Sequence, residues 1–232
     1  MEGTLSDRPV GAQVDWTPAR RPDRTPLRGS HVLLRPLDPA ADAGALYEAS
    51  RDPAIWTYLF YGPYPGVEEL RDLLESVKEG EDPLYFAIVR LPQERPEGMA
   101  SYVRITPEHG VIEIGHIWFG TPLQRTTAAT EAIYLLARHA FEDLGYRRLE
   151  WKCDSLNAPS RRAAERFGFV FEGVFAQHII YKGRNRDTAW YAITDARWPA
   201  VRTAFEAWLE PSNFNAGGRQ RRSLTDLMPS SA

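Results

Sequence analysis

The sequence predicts a mixed α/β domain in which an antiparallel meander is joined to a parallel crossover. Two observations carry this: the apolar stretches Leu84 to Leu91, Met99 to Ile105 and Val111 to Phe119 follow one another across short turns, and the third leads into a helix and a further strand. A strand, helix and strand in succession form a right-handed parallel unit. With 232 residues, 43% of them hydrophobic, the chain can bury one sizeable core. One domain is expected over residues 29–210, between an N-terminal extension (1–28) and a C-terminal tail (211–232).

The extension is rich in Pro, Arg and Asp without an apolar period, so it either wraps the domain or stays mobile, and Trp16 argues for contact with the body. His31 to Leu37 reads as the first strand, and an Ala-rich helix follows, with Asp38 or Asp42 as its cap. Leu70, Leu73 and Leu74 mark one face of a second helix, Val67 to Val77. Between the helices lies a loop dense in aromatics: Trp56, Tyr58, Phe60, Tyr61 and Tyr64. They either cover the core edge or form a wall of a pocket.

Pro92 to Pro96 is expected to turn between the first two meander strands, and Pro107-Glu108-His109-Gly110 leads into the third. A break at Gly120-Thr121-Pro122 separates that strand from a helix whose Ala129, Ile133, Leu136, Ala140 and Leu144 keep helical spacing. Gly145 suits its stop. Arg148 to Asp154 alternates as a strand, Asn157-Ala158-Pro159-Ser160 opens another helix, and Gly168 ends it. Phe169 to Gly173 and Asp187 to Thr194 read as two strands around the turn Lys182-Gly183-Arg184-Asn185. The last helix spans about Trp198 to Leu209, and Arg219, Arg221 and Arg222 beyond it read as solvated.

A net charge of −3 supplies no basic field for nucleic acid or anionic lipid. One cysteine, Cys153, excludes an intrachain disulfide and a cysteine-based zinc cluster, and no other metal-ligand spacing appears. The N-terminus has no apolar signal core and no stretch is apolar enough to span a membrane, so a cytoplasmic protein is expected.

The organising helix opens in Gln124-Arg125-Thr126-Thr127-Ala128-Ala129, small and hydroxylated residues that leave its first N–H groups reachable. Free donors and the positive end of the helix dipole make an anion site. The pattern Gln124-x-x-Thr127-x-Ala129 resembles the pyrophosphate loop of the GNAT superfamily of acyl-CoA N-acyltransferases. Ala129-Thr130-Glu131-Ala132 is similar to the ribosomal-protein N-terminal acetyltransferase (RimJ/RimL-like) type. A second motif, Asn157-x-x-Ser160 with Glu165, Gly168-Phe169 and Glu172-Gly173, resembles the GNAT segment that closes over coenzyme A. Thr127 stands where the family has Gly. A β-branched residue is costly at positive φ, so the helix is expected to start here with Thr as a cap.

The resemblance implies a mixed, mostly antiparallel sheet of six to seven strands flanked by helices, with a splayed parallel pair that admits acetyl-CoA. It places the pyrophosphate on Gln124, Arg125, Thr126, Thr127, Ala128 and Ala129, with the two Thr hydroxyls as extra donors. The pantetheine arm would lie along Ile117 and Phe119, Asn157 would bond it from the far side, and Arg161 would meet a phosphate. Acyl transfer to an amine needs a base, a polarised thioester carbonyl and a proton for the departing thiolate. By the same resemblance Glu113 is the base and Ser160 the proton donor, with a backbone N–H near Phe119 on the carbonyl. His116 and His178 are alternative bases, and no metal is expected. The implied function is transfer of an acetyl group to a compact amine or a peptide N-terminus, with a non-catalytic CoA-binding protein as the alternative. No nucleic-acid or membrane partner is expected, and a homodimer is left open.

Overall fold

Near-continuous apolar strands need cover on both faces, and the helices supply it. The computed structural model describes residues 9–230. Eight strands form one sheet: β1 (Leu27–Arg28), β2 (Val32–Pro36), β3 (Leu84–Arg90), β4 (Arg95–Thr106), β5 (Val111–Phe119), β6 (Arg148–Asp154), β7 (Val170–Tyr181) and β8 (Arg184–Thr194). Their order is β1-β2-β3-β4-β5-β6-β8-β7. Every pairing is antiparallel except β5 with β6. The expected fold is therefore present, with one strand more than expected. The extra strand is the two-residue β1, inside the stretch read as an extension, and it pairs Leu27 with Leu34.

The helices are α1 (Pro39–Ala49), α2 (Val67–Val77), α3 (Thr127–Arg138), α4 (Ala158–Arg166), α5 (Trp198–Leu209) and the short α6 (Leu224–Leu227). Strand β3 shows how the sheet is shared. Phe86 and Ile88 join the larger core, with Ile133 and Leu136 of α3 and Phe205 of α5. Tyr85, Ala87 and Val89 face the other way, onto Leu46 of α1, Leu70 and Leu74 of α2, and Trp56. Truncating either buried leucine of α2 to Ala would cost about 2–5 kcal/mol.

Asp38 is the cap of α1, accepting from Ala41 N at 3.2 Å. Asp42 instead turns inward and accepts from Arg35 at 2.9 and 2.5 Å. Glu131 of α3 is also structural: its buried carboxylate accepts from the N–H groups of Ser30 and His31 at 2.9 and 2.6 Å. A Cβ on Gly29 would lie 2.4 Å from that carboxyl carbon, so the β1–β2 turn needs glycine there.

Sequence reading of the strands erred in two places. The turn expected at Pro92 to Pro96 closes by Glu94, and Arg95 and Pro96 already belong to β4, pairing with Arg90 and Val89. The final hairpin is longer than expected, because β7 runs to Tyr181 and β8 begins at Arg184. Outer β7 is largely exposed and broken by register shifts at Phe171/Gly173 and Phe175/Ile179. It therefore lacks the in–out alternation that marks a half-buried strand.

The described parts of both terminal stretches pack on the body. Trp16 Nε1 donates to Glu108 O at 3.0 Å, and the N–H groups of Ala19 and Arg20 bond Pro107 O and Leu144 O. At the other end Asn213 is buried, its amide donating to Trp208 O and Arg222 O at 3.0 and 3.1 Å. Leu224 enters the larger core, while Arg219, Arg221 and Arg222 are exposed.

Candidate active site

Strands β5 and β6 pair only through Val111, Ile112 and Glu113 against Arg148, Leu149 and Glu150. Beyond that point they part. On its other side β5 stays bonded to β4 through a register shift, and His116, at φ 49°, sits in the bulge. Gly120 N–H donates to Glu97 O of β4 at 2.7 Å. Because N–H direction alternates along a strand, Phe119 and Ile117 turn theirs toward the open edge. The gap widens into a cleft of about 950 Å³, walled by β5, β6, the start of α3, α4 and the β7–β8 hairpin.

At one end of the cleft is the start of α3. Thr126, not Thr127, is the cap: its hydroxyl accepts from Ala129 N at 3.2 Å and donates to Leu123 O at 2.7 Å. That hydroxyl is spent on the protein and is not the extra donor expected of it. Thr127 is the first helical residue, and the left-handed position is Arg125, at φ 61°. Among the described residues, the N–H groups of Arg125, Thr127 and Ala128 have no protein acceptor. Gln124 Nε2 ties the loop to the strand end by donating to Phe119 O at 2.9 Å. Arg166 of α4 also lines this end, held to Thr130 Oγ1 at 3.1 Å and stacked over Trp208. The C-terminal stretch adds Phe214 and Gln220 to the wall.

Glu113 lies on the cleft floor and is buried rather than solvent-facing. Its Oε2 is 3.0 Å from Lys152 Nζ and 3.2 Å from Arg104 Nε, yet neither approach has the angle of a hydrogen bond. Burial pushes the carboxyl above its ordinary range while the two cations pull against it. Lys152, with a side chain 4% exposed, also meets Glu150 at 2.6 Å and stands 3.8 Å from the Trp190 ring centroid. Glu150 is itself held by Arg148 at 2.8 Å. Removing the lysine would leave two buried carboxylates short of a partner.

Ser160 faces the same space from the first turn of α4. Its hydroxyl accepts from Trp151 Nε1 at 3.0 Å, which leaves its proton free to donate. It borders the buried Cys153, whose thiol burial pushes up. Asn157 caps α4 through Oδ1, accepting from Ser160 N at 3.1 Å, so only its NH₂ is left for a ligand. Arg161 does not reach the cleft: it donates to Tyr191 Oη at 3.1 Å and Ser155 O at 3.3 Å, on the opposite side of α4. Arg162 and Arg166 line the cleft in its place, since one and five residues along a helix rotate away from a given face.

The aromatic loop divides. Trp56 is core, donating to Ser50 O at 3.0 Å, and Tyr61 and Tyr64 pack edge-on against it. Only Tyr58 and Phe60 reach the cleft, beside Ile55 and Leu59. The loop is pinned by Lys182 at the hairpin tip, whose Nζ donates to Trp56 O, Tyr61 O and Gly62 O at 2.9, 3.4 and 3.1 Å. Burial favours neutral His116, which stacks on Tyr61. His178 sits across the cleft with Nδ1 2.9 Å from Thr188 Oγ1. Glu113, Ser160, Asn157, His116 and His178 thus share one cavity with the α3 start.

Sequence reasoning missed Lys152, Arg104, Arg166 and Arg186. Lys152 sits on an alternating strand among charged neighbours, where nothing marks it as buried. Among the described residues no cluster of side chains could hold a metal ion, and no helix is long and apolar enough to cross a membrane.

Comparison with known proteins matches this arrangement. A family model described as an acetyltransferase (GNAT) domain fits residues 31–170. A GCN5-related N-acetyltransferase from Brucella melitensis is 43% identical, with a TM-score of 0.90 over 92% of this chain and 98% of that one. A structure described as a probable GNAT-family acetyltransferase from Chromobacterium violaceum is 36% identical, with a TM-score of 0.76 over 84% of this chain and 99% of that one. The "Uncharacterized N-acetyltransferase p20" of Bacillus licheniformis is 27% identical over 171 residues, covering 72% of this chain and 94% of its own length. With its splayed β5–β6 pair, open helix start and this extent of similarity, the chain belongs to the GNAT acetyltransferase family.

Proposed function

We propose that the protein is an acetyl-CoA-dependent N-acetyltransferase of the RimJ/RimL-like type, acting in the cytoplasm on a compact primary amine or a peptide N-terminus. One observation carries the reading: at the α3 start three N–H groups have no protein acceptor among the described residues, and two of them, on Arg125 and Thr127, belong to residues lining the same cleft as a buried carboxylate. The donors of Arg125, Thr127 and Ala128 suit a pyrophosphate, with Arg166 close by. The free β5 edge suits an extended amide-bearing arm, as β-augmentation does for peptides.

The amine nitrogen attacks the thioester carbonyl, whose developing oxyanion accepts from the Phe119 N–H. Glu113 takes the ammonium proton before attack, directly or through water, and its raised proton affinity suits that role. Collapse breaks the C–S bond, and the thiolate receives the Ser160 proton; the amine's second proton restores that hydroxyl through solvent. Tyr58 and Phe60 favour an acceptor with an apolar or aromatic body.

The test is thiol release from acetyl-CoA with a panel of amines, alongside calorimetry with CoA. Binding with turnover is expected. Binding without turnover of any amine would leave a CoA-binding protein, and absence of CoA binding would overturn the whole reading.

A further inference from the structure

The cations around the cleft are not alike. Lys152 lies between Glu113 and Glu150, and Arg104 pairs with Glu113. Arg186 of β8 is only 7% exposed, lines the cleft, and among the described residues enters no ion pair. Its Nε donates to Thr188 Oγ1 at 3.2 Å, and its guanidinium stands over the Phe60 ring at 5.3 Å. The N–H groups of both terminal nitrogens have no protein acceptor among the described residues. Neighbouring Asp154 is already engaged, its oxygens accepting from Leu156 N at 2.9 Å and Tyr181 Oη at 3.0 Å.

A guanidinium that faces a cleft with its terminal nitrogens unpaired suits an anionic ligand, and its planar fork matches a carboxylate in two-point contact. A second donor stands beside it. Thr188 Oγ1 also meets His178 Nδ1 at 2.9 Å, and in the tautomer in which that nitrogen accepts the Thr proton the ring carries its own proton on Nε2. Burial, followed by the charges of Arg104, Arg186 and Lys152, lowers the proton affinity of His178 and favours its neutral form.

We propose, granted the acetyl-transfer reading, that Arg186 and His178 Nε2 form a carboxylate subsite in the acceptor pocket, so that the acceptor is an amine carrying a free carboxylate. Phe60, under the Arg186 guanidinium, takes the apolar part of the molecule, with Tyr58 lining the same cleft. A polyamine, which brings only positive charge, is disfavoured by the Arg186 guanidinium, unpaired among the described residues.

The full-length native protein at fixed acetyl-CoA is assayed with phenylalanine, glutamate α-amide and phenylalaninamide. These carry an α-carboxylate, a side-chain carboxylate and none. At least one acid should exceed phenylalaninamide in kcat/KM by about 10- to 100-fold, the worth of a charged hydrogen bond. Which acid wins tells where the carboxylate sits. Arg186→Gln should erase the acid-over-amide ratio, mainly through KM, and Arg186→Lys should restore part of it. Equal use of acids and amide by the native protein would overturn the subsite, as would an unchanged ratio in the Gln variant. The native panel needs no variant, so it decides the matter even where Arg186→Gln misfolds. Calorimetry of N-acetylphenylalanine against N-acetylphenylalaninamide, on CoA-loaded native protein, separates the two claims. Selective binding of the acid without turnover of any amine would keep the subsite and sink the catalytic reading, whereas turnover without acid preference would do the reverse.

Discussion

The two ends of the cleft are built from different groups. At the α3 end the donors without a protein acceptor among the described residues are chiefly main-chain N–H groups, those of Arg125, Thr127 and Ala128, set by a loop and a capped helix start, with the Arg166 side chain beside them. At the other end the lining groups are side chains drawn from four distant parts of the chain: the 53–60 loop, β5, β6 and the β7–β8 hairpin. Main-chain donors tolerate side-chain change, whereas a side-chain site loses a charge or a partner with each substitution. The first end therefore fits a ligand common to a family, and the second fits what differs between its members.

Substitution at Glu113 tests that contrast most severely. Glu113→Gln should lower turnover at neutral pH by about 10²–10⁴-fold, the usual worth of a general base, while CoA affinity stays as it was. High pH should restore part of the rate as free amine accumulates. With Glu113 as the proposed base, the active form is the ionised carboxylate, whose affinity for a proton burial raises. Activity should accordingly be lost as pH falls, with an inflection above the ordinary carboxylate value of 4.5. The same raised value makes the opposite contribution to stability, favourable in acid and lost as pH rises through it. Unchanged turnover in the Gln variant would bring His116 or His178 forward.

Lys152→Ala should destabilise the fold by about 3–5 kcal/mol, because Glu113 and Glu150 would remain buried beside an absent cation. Denaturant unfolding measures this, and a loss under about 1 kcal/mol would mean water already solvates the pair. Ser160→Ala is expected to slow turnover by about 100-fold without weakening CoA binding. A fully active variant would hand the thiolate proton to solvent.

The smallest effects belong to the α3 end. Thr126→Ala removes the cap and should cost about 1 kcal/mol of stability. Thr127→Gly should leave CoA affinity within about threefold, because the contacts there are main-chain and Gly costs a helix only about 1 kcal/mol. A large loss of affinity in the Gly variant alone would show that the Thr127 hydroxyl binds the ligand and would break the distinction between the two ends.

The same division governs what could be read from sequence. Helix α2, strand β5 and helix α5 have the expected bounds, because each carries a long apolar period within its own residues. The α3 start was legible because its small, hydroxylated residues are contiguous. Arg161, expected at a phosphate, turns to Tyr191, and nothing in Ser160-Arg161-Arg162 tells which arginine faces inward. The aromatic loop read equally as core cover or pocket wall, and Trp56, Tyr61 and Tyr64 take the first role under α1 and α2 while Tyr58 and Phe60 take the second, since an aromatic loop has no period to reveal its buried face. Lys152 and Arg186 were invisible: a buried cation looks like any other in sequence until its long-range neighbours are known.

The central claim is that main-chain donors at the start of α3 hold the pyrophosphate. Amide-resolved NMR of the labelled protein tests it most directly, by titration with CoA and, separately, with pantetheine, which lacks the phosphates. CoA should move the amide signals of Arg125, Thr127 and Ala128, Ala129, already bonded to Thr126, should move less, and pantetheine should leave all four in place. Unmoved signals under saturating CoA, or equal shifts with pantetheine, would contradict the claim.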